Sequence, residues 1–271
     1  MKSIDVSIII VSYKTAKILP QTLDSLKSAA KKISLEIIIV NNYLAEDLRF
    51  LAKHPLKPDV SLSTNNLGFS KGVNLALKKS KGKYALLLNP DCVLVGGSLV
   101  DMLSFAEGQS DLCVVSPRLL NSDGSSQGSV FRFPSITNAF KKYFLGCKNC
   151  FGKYLPENKI QTVDVAVMAA MLIPRSVFNL VGMLDERFFL YYEDVEFCQR
   201  LKKHHIPVYY YPKAKVKHLH GASGNFTEHL KSPLLKSSKI YYGETYSKVL
   251  NMVLWLGHKW QVIIRGKKYK D

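Results

Sequence analysis

Acidic residues are scarce in this chain: 21 Asp and Glu stand against 38 Lys and Arg over 271 residues, a formal charge of +17. The shortage predicts attraction to polyanions, whether nucleic acid, an anionic membrane face or a phosphorylated substrate. The N-terminus lacks the charged-then-apolar pattern of a signal peptide. The five cysteines are odd in number, so a reducing cytoplasm is the simpler reading. Cys147 and Cys150 form one Cys-x-x-Cys with no second pair at zinc-ribbon spacing, which favours two free thiols over a metal or redox site. No Walker loop, dinucleotide fingerprint, internal repeat or low-complexity segment occurs. Disorder is not the default at 47% hydrophobic and 11% aromatic residues, and the length allows a substantial core.

What is present begins with Leu86 to Leu94, a run of branched apolar residues that breaks at Asn89-Pro90-Asp91. Apolar residues without alternation suit a strand covered on both faces, and Pro90 stops it because proline cannot donate to a ladder. Asp91 thereby reaches the rim of a sheet, where open α/β folds bind ligands and where its carboxylate suits a hard divalent cation. A plain strand-ending turn explains the same residues. Upstream, apolar runs at Val6–Val11, Glu36–Val40 and Val60–Ser63 alternate with helical patterns near Leu19–Ala30 and Leu44–Ala52. Such alternation predicts an α/β fold with a mostly parallel sheet. The next helix is expected from about Lys71 to Lys79, closed by Gly82. Beyond residue 95, Ser116–Pro134 reads as a hairpin or loop, Val163–Ile173 as a strand, Pro174–Leu180 as a helical turn, Asp194–Lys203 as a helix and Val208–Tyr211 as a strand. The basic aromatic stretch 141–154 has no readable period.

Three other clusters could carry chemistry. Asn65 to Asn74 sets Gly68 and Gly72 at a strand-to-helix junction, where the backbone can approach a phosphate or form an ordinary turn. Glu193 and Asp194 follow a Tyr- and Phe-rich run that would desolvate a carboxylate toward the pKa of a working base, although Asp194 also suits an N-cap. His218-Leu-His220-Gly-Ala-Ser223 offers imidazole ligands or plain polar residues. His204 and His205 read as surface residues.

Together these pieces resemble the family 2 glycosyltransferases of the GT-A fold, most closely their rhamnosyltransferase-like branch, over roughly residues 5 to 224. Val6 to Tyr13 is similar to the opening strand, Asn66 to Asn74 to the glycine loop, and Leu86 to Asp91 to the acidic metal motif in its Asn-Pro-Asp form. Ser116 to Gly124 with Arg132 to Ser135 is similar to the middle loop, and Phe188 to Arg200 is the most specific match. The resemblance implies a GT-A (Rossmann-like) mixed, mostly parallel sheet flanked by helices, followed by a basic amphipathic C-terminal helical tail. It implies that Asp91 holds Mg²⁺ or Mn²⁺ with His218 as a further ligand. Asp194 would be the general base, with Glu193 beside it. Ser12 and Tyr13 would lie near the nucleotide base, and Asn66, Gly68, Gly72, Asn74 and Asn89 near the donor. Where the family has an Asp that reads the pyrimidine ring, this chain has Asn41, which keeps an acceptor but loses charge-assisted strength.

From Lys231 to Asp271, nine Lys and Arg stand against Glu244 and Asp271, interleaved with aromatic and apolar residues. No run there approaches the roughly 18 residues of a spanning helix, so one or two amphipathic helices are expected. They would lie on an anionic membrane or pack on the catalytic unit with a solvated basic face. The expected layout is a catalytic domain over 1–225, with a nucleotide half 1–95 and an acceptor half 96–225, and a tail over 226–271. The leading function is inverting transfer of a sugar, best L-rhamnose from dTDP-rhamnose, onto a glycan or polyprenyl-linked glycan in cell-surface polysaccharide synthesis. Its setting would be cytoplasmic, peripheral at the inner face of the membrane. A UDP-hexose or UDP-galactofuranose donor is the main alternative. A non-catalytic sugar-nucleotide binder leaves the retained acids unexplained, and so does a nucleic-acid binder, none of whose motifs is present.

Overall fold

The computed structural model describes residues 3–219 and 228–265, with side chains for 3–219 and 232–263. His220 to Ser223, the expected boundary at 225/226 and the last lysines, Lys267, Lys268 and Lys270, lie outside the described residues. The first half builds β1 (Val6–Ser12), α1 (Leu19–Ala30), β2 (Leu35–Asn41), β3 (Asp59–Leu62), α2 (Gly68–Lys79) and β4 (Tyr84–Leu88). Strand β1 pairs in parallel with β2 and β4, and β3 adds to β2. The order β3-β2-β1-β4 reverses its direction of growth beside β1, the kind of crevice where open α/β sheets take ligands.

The second half continues the same sheet. It contributes β5 (Cys92–Val95), α3 (Ser98–Glu107), β6 (Val114–Leu120), β7 (Val130–Phe131), α4 (Ile136–Phe144), β8 (Gln161–Val163), β9 (Val165–Ala166), β10 (Ala170–Pro174), α5 (Arg175–Val181), α6 (Glu193–Lys203) and β11 (Val208–His218). The nine-stranded sheet runs β3-β2-β1-β4-β10-β6-β11-β5, with β8 pairing β11 and with β7 and β9 forming a separate ribbon. Strand β10 is antiparallel to both β4 and β6, while β11 is parallel to β6. The mixed, mostly parallel, helix-flanked sheet expected from the sequence is therefore present.

Side-chain alternation explains the unbroken apolar runs. Ile8, Ile10, Leu86 and Leu88 face one layer with Leu19, Leu23 and Leu26 of α1. Ile9 and Leu87 face the other, with Val73 and Leu77 of α2 and Phe197 and Leu201 of α6. With both faces covered, every position of the strand must be apolar.

Several local expectations are corrected. The helix expected near Leu44–Ala52 is only a 3₁₀ turn, Arg49–Lys53. The Glu46 carboxylate instead accepts the Thr15 and Ala16 N–H groups, 3.1 and 2.7 Å away, and so ties this loop to the one after β1. Helix α2 starts at Gly68 rather than Lys71 and is ended by Ser80 in extended conformation. Gly82 serves close approach, because a Cβ there would lie 2.5 Å from the Ser7 nitrogen. Ser116 to Leu120 belongs to β6, leaving only Asn121 to Ser126 as the hairpin turn. Val163–Ile173 divides among β8, β9 and β10 because each pairs with a different strand. Strand β11 runs on to His218, with a register shift between Tyr211 and Lys215 where Pro212 supplies no N–H.

Cys147 and Cys150 are joined in a disulfide, contrary to the two free thiols expected. The Cys147 N–H donates to the Lys141 carbonyl at the end of α4, curling the chain so that the two Cα atoms stand 5.7 Å apart, within bridging range. The tail forms α7 (Glu228–Tyr242) and α8 (Glu244–Arg265). Both pack on the preceding chain, α8 along α4 and α7 against Leu190 to Tyr192.

Candidate active site

Strands β1, β2, β4, β6 and β11 share one direction, so their carboxyl ends lie at one edge of the sheet. Ser12 and Asn41 are register partners at the ends of β1 and β2, Asn89 to Asp91 follow β4, and His218 closes β11. This edge gathers most of the residues singled out from the sequence.

Asp91 is buried, and burial pushes its carboxyl above the usual range. His218 Nε2 stands 3.5 Å from Asp91 Oδ1, and His218 Nδ1 stands 2.9 Å from Gln127 Oε1. Gln127 Nε2 in turn donates to Asn121 Oδ1 at 3.0 Å, which sets the orientation of the amide. Facing a carbonyl acceptor, Nδ1 carries the proton, and the Nε2 lone pair points at the carboxylate. A carboxylate oxygen and an imidazole nitrogen this close can both ligate one divalent cation, so the pair fits a metal. Cys92 sits in the same cluster, but its Sγ–H donates to the Ala169 carbonyl and burial raises its thiol well above the ordinary value. The donor set is thus one carboxylate oxygen and one imidazole nitrogen. Such a sparse set suits Mg²⁺ or Mn²⁺ completed by water and substrate phosphates.

Gln127 escaped sequence reading because only the hairpin at Asn121 to Ser126 turns it back to β11. Gln127→Leu is expected to release the His218 ring and weaken Mn²⁺ binding by about 10–100-fold, read by calorimetric titration. Unchanged affinity would remove Gln127 from this role.

Glu193 and Asp194 open α6 behind an unusual turn. Tyr191 and Tyr192 both adopt left-handed backbone, φ 70° and 67°, and the N-cap residue Tyr192 makes no side-chain capping bond. Such conformations cost about 1–3 kcal/mol each, so surrounding contacts must impose them. Asn74 supplies some of these, donating to the Leu184 carbonyl at 2.8 Å and accepting the Leu184 N–H at 3.0 Å. Gly68 supplies another: with φ 77° it packs so closely that a Cβ would lie 2.5 Å from the Phe189 carbonyl oxygen. Ser237 of α7 donates to the Leu190 carbonyl, and Tyr192 packs on Tyr241 with ring centroids 5.5 Å apart.

The turn puts Glu193 in the interior at 8% exposure, and its Oε2 has no hydrogen-bond partner among the described residues. Burial first, and then the neighbouring Asp194 charge, raise the Glu193 carboxyl. Asp194 is also raised by burial, but the Val195 N–H at 2.8 Å and the Lys153 ammonium favour its charged form. Within this pair it is the charged form of Asp194 that a hydrogen bond and a cation support, while burial and the Asp194 charge oppose ionisation of Glu193. Asp194 follows Tyr192 into the first turn of the helix and is not its N-cap. Lys153 was not foreseen as a partner, since the bridge between Val130 and Tyr154 brings it there from a segment without readable period.

Some of the other expected ligand residues turn inward. Gly72 abuts Val11 of β1, and Asn42 donates to the Gly68 carbonyl while its buried Oδ1 finds no partner among the described residues. Asn41 is wholly buried, donating to the Glu46 carbonyl and accepting the Tyr43 N–H. Ser12 shares a hydroxyl hydrogen bond with Thr15. Asn66 is exposed, its Oδ1 accepting the Gly68 N–H, and Asn89 is half-buried. Tyr13 and Tyr43 meet edge to face at this rim, with the Lys14 ammonium 5.4 and 5.0 Å from their ring centroids. A surface hollow of about 510 Å³ at the α7–α8 turn holds no such donor set, so chemistry rather than volume locates the site.

Several known proteins are similar to this chain in sequence or in shape. The chain is 29% identical over 219 residues to the low-salt glycan biosynthesis hexosyltransferase Agl10 of Haloferax volcanii, covering 75% of this chain and 64% of that protein. It is 27% identical over 229 residues to the rhamnosyltransferase WbbL of Escherichia coli, covering 79% and 83%. It is 26% identical over 208 residues to the N-acetylglucosaminyl-diphospho-decaprenol L-rhamnosyltransferase of Mycobacterium tuberculosis, covering 67% and 66%. The fold is that of GalNAc-T7 crystallised with UDP, GalNAc and Mn²⁺, at TM-score 0.62 and 13% identity over 87% of this chain and 47% of the other. The sequence pattern of glycosyl transferase family 2 matches residues 7–162, more than half of the 271, and the chain belongs to that family.

Proposed function

We propose that this chain is an inverting, metal-dependent glycosyltransferase that moves L-rhamnose from dTDP-rhamnose onto a glycan or polyprenyl-linked glycan. The observation that carries the reading is the carboxyl pair at the head of α6, one member buried with an oxygen that has no partner among the described residues and the other kept ionisable by Val195 and Lys153. Asp194 takes the proton of an acceptor hydroxyl. The acceptor oxygen attacks the anomeric carbon from the face opposite the diphosphate. As that C–O bond forms, the bond from the anomeric carbon to the diphosphate oxygen breaks, its electron pair leaves with the nucleoside diphosphate, and configuration inverts. Glu193, beside Asp194, helps to position it or the acceptor.

Asp91 and His218 hold Mg²⁺ or Mn²⁺, which when bound offsets charge on the departing diphosphate. Tyr13, Tyr43 and Lys14 present the platform for the pyrimidine base and its first phosphate, with Ser12 and Asn41 fixing the loops beneath it. Asn66, Gly68, Gly72, Asn74 and Asn89 line the donor side. Residues 1–225 make the catalytic unit, with 1–95 its nucleotide half and 96–225 its acceptor half. The tail 226–271 places it at the inner face of the membrane in cell-surface polysaccharide synthesis. Among the described residues no helix is long and apolar enough to cross a membrane. The rhamnosyl reading is supported by two relatives named rhamnosyltransferases, one with N-acetylglucosaminyl-diphospho-decaprenol in its name. The relative named a hexosyltransferase favours a second reading with a UDP-hexose donor.

Thermal shift with dTDP, UDP and GDP, each with and without Mn²⁺, tests the donor, since a ligand binding only the native state stabilises it by about 2.7 kcal/mol at a hundredfold excess over Kd. The expected result is the largest rise in Tm with dTDP plus Mn²⁺. Preference for UDP moves the donor to the second reading. Indifference to every nucleotide overturns both.

A further inference from the structure

Helix α8 is apolar on the side it buries and on the side it shows. Inward, Leu250 is buried and Gly257 lies so close to Tyr143 of α4 that a Cβ would come within 2.6 Å of that side chain. Outward, Met252, Leu256, Trp260 and Ile263 recur at helical spacing and are 55, 44, 46 and 78% exposed, with Trp255 beside them at 56%. A helix hydrophobic all round is normally enclosed, and contiguous exposed apolar surface marks a binding face. Helix α4 widens this face: Phe140, 48% exposed, stacks on Phe144, whose ring lies 6.1 Å from that of Trp260. Leu145, just before the disulfide, is 68% exposed.

Charge selects the occupant. Neither 136–156 nor 245–263 contains an Asp or Glu, whereas Lys141, Lys148, Lys248 and Lys259 are present. The Lys259 ammonium lies 4.0 Å from the Trp255 ring centroid, an aromatic–cation pairing suited to the headgroup level. Lys248 is paired with Glu244 at 3.2 Å, but a second copy of this chain would still bring Lys141, Lys148 and Lys259 face to face with like charge, while an anionic leaflet neutralises them. We infer that the joint outer face of α4 and α8 docks on an anionic lipid bilayer, with Trp255, Trp260 and Ile263 entering the headgroup–acyl boundary. This deepens the peripheral-membrane reading by naming its surface, and it stands or falls independently of the transfer chemistry.

The chain has only two tryptophans, and both lie on this face, so intrinsic fluorescence reads it directly. The full chain, without donor, is mixed with phosphatidylcholine vesicles with and without phosphatidylglycerol. The expected result is a blue shift with the anionic vesicles alone, quenched by brominated acyl chains and reduced by salt. Ile263→Glu and Met252→Glu, both at exposed positions, should weaken vesicle binding by more than about tenfold. Their dTDP and Mn²⁺ response reports folding separately. A blue shift that grows with protein concentration in the absence of lipid overturns the inference in favour of a second copy. No shift with either vesicle overturns it outright.

Discussion

Asp194→Asn is expected to lower kcat by about 10²–10⁴-fold, the usual contribution of a general base, while nucleotide binding measured by calorimetry stays within about twofold. Asparagine keeps the size of the side chain and can still accept the Val195 N–H, but it cannot take a proton. In the unmodified protein, kcat/KM should rise with pH through a pKa above the ordinary carboxylate range, because burial raises Asp194. The limb should vanish in the residual activity of the variant. The stability sign is opposite. A carboxyl whose folded pKa is raised keeps its proton after the unfolded chain has lost it, so folding weakens as pH climbs from about 4 to the folded pKa. Asp194→Asn should therefore match or exceed the parent in Tm at neutral pH. Full activity in the variant would move the base elsewhere.

Much of this site was legible because it is local. Asn89-Pro90-Asp91 ends a strand by the chemistry of proline alone, and an acidic opening to α6 suits the helix dipole whatever surrounds it. The parts that were not legible depend on contacts distant in sequence. Tyr191 and Tyr192 carry no signal for left-handed backbone, since aromatic residues seldom adopt it, and the contacts imposing it come from α2 and α7. Asn41 suggested a base-reading side chain, yet the loop that carries Glu46 folds over it and uses both ends of its amide. For the same reason the helical pattern at Leu44–Ala52 lost to tertiary contacts, as weak propensities do. In the tail, periodicity announced amphipathic helices but not that α8 would seat one apolar face on α4 and leave another outside.

Asp91→Asn is the second large effect expected, a loss in kcat/KM of about 10²-fold or more, since a bound divalent cation supplies several kcal/mol of charge stabilisation to a departing phosphoryl oxygen. The amide retains volume and an acceptor, so the turn held by Thr22 Oγ–H on the Pro90 carbonyl should survive, and Tm without nucleotide should hardly move. What should disappear is the difference between nucleotide binding with and without Mn²⁺. His218→Gln should do the same more weakly, because imidazole brings no charge to the site. Asp91→Asn with His218→Gln should then lose little more than Asp91→Asn alone, as residues sharing one ligand are not additive. Additive losses would mean that the two side chains, 3.5 Å apart, serve separate purposes, and Mn²⁺-dependent binding undiminished in Asp91→Asn would move the metal away from the β4 turn.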